Sequence, residues 1–282
     1  FKENGIIPTS SYSRTNLRLN VDQKINDKFS VAFDLNLLTD DIARSANVNV
    51  ITTSPLGSAF DADGNIIQFP SGEELTATNP LWNLREQTND ELGNDFVINI
   101  SPMYKITDNL SYQLKANLTR KNSERGQYQS SLSSPGATER GVARIENQTR
   151  KSYLIENILS YDKEFTEAHK FNLTLVQSAQ EDRFNGTLTE GQGFPNEDLG
   201  YNGIGNAIGN VTVVRAENPL NLTSYMARLR YNLLDRYLFS GTFRADAAST
   251  NAENNKWAQS TAASFAWKMH NESFLEDVEA IQ

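Results

Sequence analysis

The stretch "SYMARLRYNLLDRYLFSGTFRADAAST", residues 224–250, holds two runs of alternation around a turn. Tyr225, Ala227, Leu229 and Tyr231, then Tyr237, Phe239, Gly241, Phe243 and Ala245, form one apolar, aromatic set. Arg228, Arg230 and Asn232, then Ser240, Thr242, Arg244 and Asp246, fall between them. A period of two places these sets on opposite faces of a strand pair. Such a pair fits half of a soluble sandwich, or a barrel wall with lipid on one side and water on the other. The rest of the chain decides between the two.

Working outward, the same pattern recurs. Leu17, Leu19 and Val21 alternate with Arg18, Asn20 and Asp22; after a turn at 25–28, Phe29, Val31, Phe33, Leu35 and Leu37 alternate with Ser30, Asp34 and Asn36. Phe96, Ile98, Ile100 and Tyr104 precede a turn at 106–109, and Leu110, Tyr112, Leu114, Ala116 and Leu118 follow it. Pro102 marks a bulge or a weak point in pairing, because proline has no N–H for the ladder. In 151–182 the alternation is less clean, and Asn157 or Glu156 falls on an apolar face, which suggests a bulge. A last strand is expected over 257–269, then a short helical turn in "HNESFLEDVEA".

Short connections lie near 25–28, 106–109, 162–169 and 233–236; long ones are expected at 40–94, 121–150 and 183–221, with a shorter one at 248–256. Long loops at every second connection place them all on one side of an up-and-down sheet, as in an outer-membrane barrel. Tyr104, Tyr161, Tyr231, Tyr237 and Trp267 sit near the short turns, as an interfacial girdle requires. The expected strands reach about 12 residues, against about 5–6 in globular sheets. The fold expected is all-β: an antiparallel up-and-down transmembrane β-barrel segment of about nine strands.

Composition narrows the function. The 282 residues include no cysteine, which rules out disulfides and thiolate metal sites. A net charge of −9 and a pI near 4.9 argue against nucleic acid, whose binding needs cations facing phosphates. Mean hydropathy is −0.54 and no apolar run is long enough for a membrane helix, although a barrel strand needs only about ten residues, half of them apolar. The first residues, "FKENGIIPTS", lack the basic start and apolar core of a signal peptide.

Several stretches resemble SusC/RagA-type TonB-linked outer-membrane proteins, nutrient importers of Bacteroidetes. The opening segment continued by "NNKWAQSTAASFAWKMHNESFLED" is similar to that family's barrel hairpin; Arg244, Asp246 and Ser249 carry its R-x-D-x-S strand end, and Trp257 and Trp267 lie in the return strand. "NGIIPTSSYSRTNLRLNVDQKINDKFSVAFDLN" resembles another family hairpin through Arg14, Asn16, Arg18 and Asn20, and "NPLWNL" at 79–84 resembles a motif of the following loop. The resemblance implies that residues 1–282 belong to one barrel domain of about 22 strands. The family's plug domain, TonB box and closing strands have no counterpart here, so a mid-barrel portion of a longer protein is expected. The resemblance also implies a SusD-like surface lipoprotein as partner, TonB acting through the N-terminal region, outer-membrane lipid around the wall, and uptake of oligosaccharides or peptides without a cofactor.

Catalytic constellations are poorly supported. His169 and His270 lie in expected short turns, and the pairs Glu73–Glu74 and Glu197–Asp198 read more simply as solvated loop charges. "DADGN", 61–65, starts like a calcium loop but has Gly72 where the twelfth-position acid should stand, so it reads as a hairpin turn. "GIGNAIGN", 203–210, has the wrong spacing for a dinucleotide fingerprint and reads as loop.

The lumen-facing candidates are Arg228, Arg230, Arg244 and Asp246, with a plug as their expected contact. Phe60, Phe69, Trp82, Tyr128, Phe194 and Tyr201 are the loop aromatics expected to meet a ligand or, preferably, the partner. Two other readings stay open: a scaffold within a larger outer-membrane assembly, and a soluble β-sandwich binding module with a second sheet on the apolar face.

Overall fold

The computed structural model describes residues 1–45, 56–72 and 78–274. The described strands form one antiparallel sheet in chain order: β1 (Lys2–Asn4), β2 (Ser11–Lys24), β3 (Phe29–Ala43), β4 (Gln87–Lys105), β5 (Leu110–Gln129), β6 (Val142–Thr166), β7 (His169–Gln192), β8 (Val211–Leu233), β9 (Tyr237–Ala248) and β10 (Trp257–Trp267). Among the described residues there are ten strands rather than about nine, because the three residues of β1 pair with Ser11–Ser13. One helix, α1 (Pro80–Arg85), stands in the first long connection.

The register keeps the alternation on one face from strand to strand. Leu19 stands opposite Leu35, which stands opposite Ile98 and then Leu118; Leu173 stands opposite Leu229 and then Gly241. Leu17, Leu19, Ile100, Ile155, Leu175, Leu229, Phe239, Phe243 and Phe265 are all at least 40 % exposed, and no second sheet covers them among the described residues. A soluble protein does not tolerate so wide an apolar face; lipid does. The sandwich reading therefore lacks its partner sheet.

Aromatic pairs bracket this face. Tyr237 stacks on Trp267 at 6.5 Å beside the short turns, and Tyr225 stacks on Trp257 at 5.9 Å toward the long ones. Trp257 and Trp267 are the two ends of β10. That separation is about 33 Å along a strand and about 25 Å along the membrane normal at a barrel's usual tilt, the height of an outer-membrane apolar band.

The ladders outlast the alternation. The connections expected at 121–150 and 183–221 shrink to 130–141 and 193–210, because β5, β6, β7 and β8 continue above the apolar band as polar strands. Lipid meets neither face there, so the sequence loses its apolar period while the backbone keeps pairing. The wall is uneven: β8 and β9 stop pairing at Leu222–Ala248, whereas β7 and β8 pair up to Gly191–Val211. The exposed upper edge of β8 carries Arg215, Glu217 and Pro219, features that discourage a further strand.

Two local expectations resolve differently. At Pro102 the β4–β5 ladder pauses between Ile100–Ala116 and Met103–Gln113 without losing register. No bulge occurs near Asn157; the irregularity lies at Glu164/Thr166, beside the turn. Asn157 stays on the lipid face, accepting a hydrogen bond from the Tyr112 hydroxyl (2.6 Å) and donating to Gln177 (2.6 Å), which offsets its burial in hydrocarbon.

Candidate functional site

The face opposite the lipid belt is polar. Most of its charges are paired within or between strands: Arg14 with Asp40 at 2.7 Å, Lys121 with Asp95 at 3.0 Å, Arg150 with Asp182 at 2.8 Å, and Lys170 with Glu164 at 3.5 Å. Arg244 and Asp246 belong to this set. Arg244 Nε lies 2.9 and 2.8 Å from the two carboxylate oxygens, and Ser224 donates to the same carboxylate. Arg228 and Arg230 differ, for neither is in an ion pair with a described residue. Both project from β8 into a cavity of about 660 Å³ with Asp162, Asn172, Ser240 and Ser264.

At the long-loop end, three connections dock together into a ledge. Asn79, 2 % exposed, caps α1: its carbonyl accepts from Leu81 N (3.0 Å), while its amide donates to Ala59 O (3.0 Å) and Ile67 O (2.8 Å). Pro80 follows at the first helical position, where its missing N–H costs nothing. Trp82 Nε1 then reaches Leu132 O at 3.0 Å, and Ser130 Oγ donates to Glu86 at 2.8 Å, joining the first connection to the second.

Glu197 ties in the third connection. Its carboxylate accepts from Tyr128 OH (2.8 Å), Ser131 N (2.9 Å) and the Ser131 hydroxyl. Burial pushes this carboxyl up, but the Ser131 hydroxyl and amide and the Tyr128 hydroxyl hold it below its ordinary value. Burial first, and Glu197 second, push the Tyr128 phenol up. Glu197, read from sequence as a solvated loop acid, is thus the acceptor on which the ledge converges. Its spacing to Ser131 and Tyr128 is long-range and left no local signal.

The loop aromatics separate into two groups. Tyr128 and Phe194, 5 % and 7 % exposed, meet edge to face at 5.6 Å, with Ala143 buried beside them and Tyr201 packed against the cluster. These rings form the ledge's interior, on the outward face of β5 and β6 above the lipid belt, and Tyr128 itself lies in β5 rather than in a loop. Phe60 is exposed; Phe69 and Trp82 are half-buried, and Arg85 lies over the Trp82 ring at 3.9 Å.

"DADGN" is a turn: the Asp61 carboxylate accepts from the amides of Asp63 (2.9 Å) and Asn65 (2.8 Å), and Phe60 bridges to Ile66. Within "GIGNAIGN", residues through Asn206 complete a 3₁₀ turn, Gly200–Asn206. Glu73 and Glu74 lie outside the described residues.

At the short-turn end, Glu272 is 5 % exposed and accepts from Tyr237 OH (2.6 Å), Trp267 Nε1 (3.0 Å) and Arg236 Nη1 (3.0 Å). Those bonds, led by Tyr237, hold its carboxyl below the usual glutamate value. The helical turn expected nearby is a 3₁₀ turn, Met269–Asn271, and the residues after 274 lie outside the described set.

No family model matches the chain. Over its whole length it is 25 % identical to TonB-dependent receptor P3 of Formosa agariphila, covering 29 % of that protein. Sixty residues are 42 % identical to TonB-dependent receptor SusC of Bacteroides thetaiotaomicron, 21 % of this chain and 6 % of SusC. In fold it matches the RagAB peptide transporter with a TM-score of 0.76 at 15 % identity, covering 95 % of this chain and 31 % of that one. It matches the ferric citrate transporter FecA with a TM-score of 0.51 at 8 % identity, covering 92 % of this chain and 33 % of that one. The chain thus spans under a third of the length of the curated relatives it matches, and those relatives are receptors and transporters rather than enzymes. Lipid-facing belt, polar inner wall and relatives agree: the chain is outer-membrane β-barrel wall, related along its length to TonB-dependent receptors, with SusC- and RagAB-like proteins among its likenesses.

Proposed function

We propose that this wall belongs to a nutrient importer of the outer membrane, taking up oligosaccharides or peptides under TonB control. The observation that carries the reading is the division of one sheet into a lipid face bounded by aromatic pairs and a charged inner face. Such a wall encloses a polar path, and its chemistry is translocation without a covalent step. TonB would act through a plug supplied by chain outside these residues, which Arg228 and Arg230 would face. Nucleic acid is not among the partners proposed, given the net charge of −9.

The ledge is the proposed seat of a SusD-like surface lipoprotein. A docked, hydrogen-bonded platform suits a protein partner better than a mobile loop would, because little ordering entropy is lost on contact. Phe60, Phe69 and Trp82 supply its accessible aromatic surface, while Tyr128, Phe194 and Tyr201 hold it together from within.

The test is uptake. Cells carrying the full-length protein, its gene deletion and a TonB deletion are given fluorescent oligosaccharides and peptides. Uptake lost in both deletions supports import and names the cargo class. Uptake unchanged in both, with the protein present in outer-membrane fractions, would favour the scaffold reading.

A further inference from the structure

We propose that Arg228 and Arg230 form an oxyanion-binding site on the inner wall near its short-turn end. The proposal rests on the importer reading only in treating the polar face as lumen. As alternate residues of β8, the two guanidinium groups share one face with Cα atoms about 6.7 Å apart. The residues directly across from Arg228 are Thr174 and Thr242; across from Arg230 they are Asn172 and Ser240. All four are neutral and capable of donating hydrogen bonds. On this face Arg14, Lys121, Arg144, Arg150, Lys170 and Arg244 each have a carboxylate within 4 Å, whereas Arg18 and Lys115 have none among the described residues. Arg228 and Arg230 are distinguished by standing next to each other on one face of one strand.

The acids nearest the site each have another partner, and Asp162, on the wall of the same cavity, keeps its charge. Asp162 accepts from Asn172 Nδ2 at 2.5 Å, and Glu164 lies 3.5 Å from Lys170. Arg228 Nε is buried without a hydrogen-bond partner among the described residues. An unsatisfied buried donor costs about 1–3 kcal/mol, more when charged, and a like charge on the next inward position adds to that. An oxyanion relieves both costs: two planar guanidinium forks match carboxylate, sulfate or phosphate oxygens bidentately, and the hydroxyl groups of Thr174, Thr242 and Ser240 can donate to those left over. The cavity of about 660 Å³ has room for such a group on a larger molecule.

The oxyanion has two possible sources, a carboxylate of polypeptide lodged in the lumen or an anionic group on the cargo. The experiment uses the full-length protein in detergent and in planar bilayers, as wild type, R228Q/R230Q and R228K/R230K. Migration with and without boiling verifies a folded barrel in each, and the single glutamine variants replace the pair if it fails to fold. Thermal midpoints are compared in millimolar sodium sulfate and in sodium chloride of equal ionic strength. A sulfate-specific rise in wild type, lost in R228Q/R230Q and reduced in R228K/R230K, supports a site open to cargo anions. No sulfate response, with bilayer conductance raised severalfold in R228Q/R230Q, supports an internal carboxylate held by the pair. A folded R228Q/R230Q barrel matching wild type in both measurements overturns the proposal. Neither readout depends on uptake, so failure of the site and failure of the importer reading are distinguishable.

Discussion

The Tyr201 ring occupies the space where Gly126 would carry a side chain: a Cβ at position 126 would lie 2.4 Å from it. Glycine on β5 lets the third connection lay an aromatic ring directly against the strand. Gly126→Ala is expected to displace Tyr201 and loosen the ledge by about 1–3 kcal/mol, the usual cost of overpacking. Hydrogen exchange should quicken in 193–210 and remain unchanged in the lipid-facing halves of the strands. Unchanged exchange in 193–210 would contradict this packing.

Tyr128→Phe removes one of the three bonds to Glu197 while keeping the ring. A loss of about 1–2 kcal/mol is expected, confined to the ledge. Protease sensitivity of 130–141 and 193–210 reads it, with the boiled and unboiled migration of the full-length barrel unaltered.

The carboxyl of Glu197 is held below its ordinary value of 4.5, so its contribution is fully present above that pH and disappears as pH falls through the lower folded value. Asp235, in the β8–β9 turn, is lowered from 3.8 to about 2 by hydrogen bonds from Lys268 and Asn232. Its contribution is present above 3.8 and is lost progressively as pH falls from there through about 2. Acid titration of the folded protein should therefore weaken the Glu197 contacts with falling pH, while carboxyl NMR shifts place the Asp235 transition near 2. An Asp235 midpoint at 3.8 would remove the Lys268 contact from this account.

Leu234 and Asp235 both take the left-handed conformation, with φ of 58° and 52°. They are the central residues of a tight turn closed by Arg236 N to Leu233 O (3.0 Å), within a three-residue connection. Positive φ at both favours Asn-Gly, and leucine adopts it at a cost of about 1 kcal/mol. Leu234→Asn should raise unfolding stability by roughly that amount in urea titrations of the refolded barrel. A decrease would mean that the exposed Leu234 side chain contributes contacts of its own.

Phe60→Ala, at a residue 47 % exposed, should leave ledge and barrel intact and weaken capture of a co-expressed surface lipoprotein. Trp82→Ala should weaken capture and also loosen the ledge, because it removes the bond to Leu132 O. Equal pull-down by wild type and Phe60→Ala would exclude Phe60 from that contact.

The strands were legible wherever lipid lies on one side and water on the other. Leu17, Leu19 and Val21 opposite Leu37, Leu35 and Phe33 could be read directly, because the membrane imposes a period of two. Residues 121–129, "KNSERGQYQ", pair as regularly as those below but meet water on one face and the ledge on the other rather than lipid, so they read as loop. Asn157 misled for the opposite reason: a polar residue on the lipid face suggested a bulge, whereas hydrogen bonds with Tyr112 and Gln177 keep it in register. Within the candidate site, alternation fixed the face of Arg228 and Arg230. It could not reveal that Arg244 has a carboxylate of its own on the same strand and they do not. The role of Glu197 depends on partners 66 and 69 residues away.

The spacing of Tyr237–Trp267 and Tyr225–Trp257 has a consequence for the surrounding bilayer. Aromatic rings anchor at the headgroup level, so the two pairs set a preferred hydrocarbon thickness of about 25 Å, several ångströms below the ~30 Å of an average bilayer. Hydrophobic mismatch then acts on the lipid. Short-chain membranes accept this wall undeformed, and long-chain membranes must thin locally around it. Insertion should accordingly be faster and more complete into short-chain vesicles than into long-chain ones.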